Sequence, residues 1–70
     1  MQADLDTALL DAHANGDQRA LVTLYAQAAD QARDVDAACF YLTHAYIFAL
    51  ELGHPETADL HRRLATHGRV

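Results

Sequence analysis

The 70-residue chain predicts an all-α fold of four helices in two antiparallel hairpins. Apolar residues recur at three- and four-residue steps, the spacing of one side of a helix. Alanine, leucine, glutamine and arginine, all good helix formers, dominate the composition. Punctuation is sparse: Gly16, Gly53, Gly68 and Pro55 are the only glycines and proline, and no alternating segment is bounded by turn residues. The length admits one domain over residues 1–70, with hairpin one at about 3–33 and hairpin two at about 36–67.

The first helix is expected from about Ala3 to Ala14, with Asp4 and Asp6 at its positive end and Leu5, Leu9 and Ala12 on its buried side. Asn15-Gly16 ends it, Gly16 taking the left-handed conformation after the last turn. Asp17 is the natural N-cap of a second helix reaching about Arg33. Leu21, Leu24, Tyr25, Ala28, Ala29 and Ala32 share its apolar face, while Thr23, Gln27, Asp30 and Gln31 lie opposite. Asp34-Val35-Asp36 breaks the pattern, with Asp34 or Asp36 capping the third helix; one continuous bent helix is the alternative. The third helix, about Asp36 to Leu52, is the most apolar and is expected at the centre of the molecule. Gly53 ends it, Pro55 opens the fourth helix, and Leu60 and Leu64 form that helix's buried stripe. Glu56 and Asp59 suit its positive end, and Arg62 and Arg63 its negative end.

Thirty-six residues are apolar, but fifteen of these are alanine, so few large side chains are available for a core. A monomer would be marginal, and self-association is expected. Ten acids oppose five arginines, with no lysine, for a net charge of −5. Residues 1–36 carry seven aspartates against two arginines, and Arg62-Arg63 is the only adjacent cation pair. That footprint argues against nucleic acid and against an anionic membrane surface. The single cysteine, Cys39, reads as a small buried hydrophobe and excludes an internal disulfide. The first residues lack the basic and apolar regions of a signal peptide, and the nearly apolar stretch from Ala45 to Leu50 is too short to span a bilayer. A cytoplasmic protein is expected. Absent lysine with abundant alanine, aspartate and arginine is a composition associated with GC-rich bacterial genomes.

No catalytic or metal constellation assembles. The five histidines include no pair at four-residue spacing, and one cysteine with scattered histidines supplies too few ligands for a closed zinc site. Cys39 and His44 are about 140° apart on a helical wheel, which disfavours an activated thiolate. With no serine and no glycine-rich phosphate loop, an enzyme is not expected, nor a cofactor.

The chain also resembles itself. Shifted by 37 residues, Leu5-x-x-Ala8-Leu9-x-x-Ala12-x-x-x-Gly16 falls on Leu42-x-x-Ala45-Tyr46-x-x-Ala49-x-x-x-Gly53. With one residue of slip, Ala20-x-Val22 falls on Ala58-x-Leu60. Leu42-x-x-Ala45-Tyr46 resembles the first helix of a tetratricopeptide repeat, and Ala20-x-x-x-Leu24-Tyr25-x-x-Ala28-Ala29 resembles the second helix of Sel-like repeats. The resemblance spans about Leu5 to Leu64 and departs from the family pattern at Thr43, at Gly53 and in lacking the bulky first-helix tryptophan. It implies a tetratricopeptide-like right-handed stack and a non-catalytic protein–protein interaction scaffold.

On the third helix, Phe40 and Ile47 fall within the polar arc of Asp36, Thr43, His44 and Glu51. Two large apolar groups on such an arc are either covered by the first helix or meet another molecule. The candidate partner-binding residues are therefore Phe40, Thr43, His44, Ile47 and Glu51, with a homodimer or another protein as the partner. The competing expectation is a small-ligand-binding or regulatory protein with a pocket near Tyr25, Tyr41, Tyr46 and His44.

Overall fold

A computed structural model describes residues 4–70: α1 Asp4–Asn15, α2 Gln18–Gln31, α3 Val35–Leu52 and α4 Thr57–Thr66, with no strand among them. The expected start of α1 at Ala3 lies outside the described residues. Each helix packs on its neighbour in sequence, and α2 against α3 is the most extensive interface. Among the described residues, the backbones of α1 and α3, and of α2 and α4, stay more than 8 Å apart between Cα atoms. The molecule is a slab of 31 × 28 × 13 Å, no thicker than two offset helices.

The turns arise from local chemistry. Gly16 and Gly53 both take φ 64°, a left-handed conformation that other residues adopt at a cost. The Gly16 N–H donates to the His13 carbonyl at 3.2 Å, and the Gly53 N–H to the Leu50 carbonyl at 3.3 Å. Beyond them, the Asp17 N–H donates to the Ala12 carbonyl and the His54 N–H to the Ala49 carbonyl, both at 2.9 Å. This pair of bonds in the first turn thus recurs 37 residues later in the second. Asp17 caps α2 by accepting from the Ala20 N–H at 3.2 Å, and Asp34, not Asp36, caps α3 by accepting from the Ala37 N–H at 2.8 Å.

Three boundaries differ from expectation. Helix α2 stops at Gln31 because Ala32 is extended, at φ −68° and ψ 147°, and this break excludes one continuous bent helix. The break precedes Asp34, so α3 already begins at Val35. Pro55 does not open α4. It lies in a turn closed by the Thr57 N–H and hydroxyl, both donating to the His54 carbonyl, and α4 begins only at Thr57.

The core forms where α2, α3 and α4 converge: Val22 and Ala29, then Cys39, Leu42, Ala45 and Ala49, then Leu60 and Leu64. Alanines at 29, 45 and 49 let the backbones approach, and leucines fill the space between them. Tyr41, Tyr46 and Phe48 are partly buried against this cluster. The fully buried Val22, not among the residues expected on the apolar face of α2, extends that face about 20° beyond Ala29. That helix packs on both α1 and α3, so it needs apolar groups on two sides. Cys39 is a free buried thiol. The length of α3 corrects another expectation: by length and hydropathy (mean 1.2 over 18 residues), Val35–Leu52 is long and apolar enough to cross a bilayer. Here it is the central helix, packed between α2 and α4.

Candidate functional site

The outer side of α3 is a single exposed stripe. Asp36, Phe40, Thr43, Ile47, Leu50 and Glu51 are exposed along it, and His44 is half-buried at its edge. Phe40 is 59% exposed, Ile47 49% and Leu50 53%, so α1 does not cover them. The steps 36, 40, 43, 47, 50 alternate four and three residues, the spacing of a seam between paired helices. Buried residues of α3 (Cys39, Leu42, Ala45 and Ala49) lie on the opposite side and hold the helix in the core.

Two polar groups in the middle of the stripe are bonded within the helix. The Thr43 hydroxyl donates to the Cys39 carbonyl at 2.8 Å. His44 Nδ1–H donates to the Phe40 carbonyl at 2.9 Å. Covering these residues therefore strands few hydrogen-bonding groups. The ends carry charge. The Arg69 guanidinium donates to Asp36 at 2.6 Å, and this hydrogen bond raises the arginine's pKa above its ordinary value. The Gln18 amide donates to Glu51 at 3.0 Å and ties the start of α2 to the end of α3. A 530 Å³ cleft beside the stripe is lined by Asp36, Cys39, Phe40, Thr43, His44 and Arg69.

Behind the stripe runs an aromatic ladder. The His44 ring stacks on Tyr25 at 5.0 Å and lies 4.6 Å from Phe40. Tyr25 stacks on Phe48 at 6.1 Å, and its hydroxyl shares a 2.8 Å hydrogen bond with His13 Nε2. Of the residues expected around a pocket, Tyr25, Tyr41 and His44 come together here, and His44 also lines the 530 Å³ cleft. Tyr46 faces α4 instead, 5.7 Å from His61. Of the four residues, only Tyr41 reaches the 390 Å³ groove over Leu5, Leu9, Ala28 and Ala32.

All five expected partner-binding residues fall on one continuous surface. Sequence reasoning missed Leu50 and Arg69. Leu50 was accessible to the four-and-three spacing. Arg69 was not, because its place depends on the chain reversing at Gly68, with its N–H donating to the Leu64 carbonyl at 3.0 Å. Among the described residues, no three His, Cys, Asp or Glu side chains gather as a metal site. Arg62 and Arg63 each face a carboxylate, Asp59 and Asp30. Comparison with protein-family models, with curated proteins and with solved structures finds no match for this chain.

Proposed function

We propose that this chain is a non-catalytic protein–protein interaction module that self-associates through the outer stripe of α3. The observation carrying this reading is the exposure of Phe40, Ile47 and Leu50 in seam spacing on the most apolar helix of the molecule. Three half-exposed side chains of this size offer about 300 Å² of apolar surface, the scale at which a monomer's largest patch is often functional. Covering it contributes on the order of 7 kcal/mol per copy before the cost of association is subtracted. A tetratricopeptide- or Sel-like scaffold agrees with this role, and its support is the pair of matching glycine turns 37 residues apart.

The test is the mass in solution, by light scattering, of the wild type and of Phe40→Asp, with helicity followed by circular dichroism. The expected result is a dimer for the wild type and an equally helical monomer for the variant. A wild type that stays monomeric at millimolar concentration contradicts the reading.

A second reading, small-ligand binding, draws on the groove reached by Tyr41, whose leucine and alanine floor is rimmed by Asp6, Gln31, Arg33 and Asp34. A screen of apolar ligands that raises the melting temperature, and raises it less in Ala28→Leu, would favour it.

A further inference from the structure

Six residues of the α3 stripe read the same from both ends; Leu50, whose mirror position is Ala37, is the exception. From Asp36 the steps are four residues to Phe40, three to Thr43, one to His44, three to Ile47 and four to Glu51. Its chemistry is symmetric as well: acid, large apolar, polar, polar, large apolar, acid. A closed homodimer requires a self-complementary patch, and antiparallel pairing about the midpoint of this one sets large apolar groups against large apolar groups. Resting on the self-association reading, we propose that the occupant of this face is a second copy of the chain, its α3 antiparallel about a two-fold axis between Thr43 and His44. In that register Phe40 meets the partner's Ile47 and Thr43 meets the partner's His44. Arg69 sits between Asp36 and the partner's Glu51.

Charge selects this direction over a parallel one. Parallel helices would set Asp36 against the partner's Asp36 and Glu51 against the partner's Glu51. Both arginines would then gather at one end, leaving two glutamates opposed at the other. Antiparallel packing distributes one Arg69 to each end. Its guanidinium has five N–H donors, and the single bond to Asp36 leaves others free to take the partner's Glu51. Antiparallel packing also opposes the two helix dipoles. The stripe with Leu50 and Arg69 supplies eight residues a side, about a third of the 20–30 of a standard interface, so the dimer it forms is a weak one that assembles at high chain concentration.

The test uses two chains, each with Cys39→Ala to remove the native thiol, one carrying Asp36→Cys and the other Glu51→Cys with a mass tag. Mild oxidation of the mixture is expected to link Asp36→Cys to Glu51→Cys chains, and neither variant to itself. In parallel, sedimentation equilibrium of otherwise wild-type chains is expected to show dimerisation weakened at least about tenfold by Arg69→Glu and by less than about threefold by Arg69→Lys. A dimeric wild type whose Asp36→Cys chains link to one another, or whose affinity ignores Arg69→Glu, overturns the antiparallel register and leaves self-association standing. A monomeric wild type overturns both.

Discussion

In the proposed dimer, Phe40 separates two properties that often travel together, folding and association. At 59% exposure it contributes little to the monomer's core, so Phe40→Asp is expected to change the stability of the isolated chain by no more than about 0.5 kcal/mol while abolishing the dimer. Leu42, two residues along and 2% exposed, behaves in the opposite way. Leu42→Ala leaves a void between α2, α3 and α4 and is expected to cost about 2–5 kcal/mol in urea denaturation, a large share of a small domain's stability. Asp34 acts through a single hydrogen bond to the Ala37 N–H, and Asp34→Ala is expected to cost about 1 kcal/mol in the same measurement. An Asp34→Ala variant as stable as the wild type would show that tertiary packing alone fixes the start of α3.

Where its chemistry is local, a helix's beginning or end is legible in the sequence. Gly16, Gly53 and Asp17 act within a few residues of themselves, and all three stand where expected. What the sequence hides depends on partners far along the chain. Val22 is one case: it stands about 20° beyond Ala29 at the edge of the apolar face of α2, and the convergence of α3 and α4 there buries it fully. Pro55 suits a helix's first turn in isolation, but the Thr57 side chain and backbone close a turn around it instead. The stripe on α3 was readable from spacing, whereas its closing charge, Arg69, depends on the reversal of the chain after α4. Helix α3 is held closely because Ala45 and Ala49 have no exposed surface. Enlarging Ala45 to leucine is therefore expected to lower stability by about 1–3 kcal/mol, read as an earlier denaturation midpoint. An unchanged midpoint would mean that the α2–α3 contact is looser than its geometry shows.

For the molecule as a whole, the limiting quantity is buried apolar surface. Among the described residues, eleven form the buried core and five of these are alanine, in a slab only 13 Å thick. A second copy laid on α3 adds the cover that a third layer would give a larger domain. Stability should then depend on chain concentration. The melting temperature is expected to rise several degrees between micromolar and millimolar chain for the wild type, and to stay fixed for Phe40→Asp. Whether the α3 stripe joins two copies is tested most directly by sedimentation equilibrium of the unmodified chain across that concentration range. The account predicts a mass climbing from the 7.7 kDa of one chain toward twice that value. A mass that stays at 7.7 kDa throughout would contradict it.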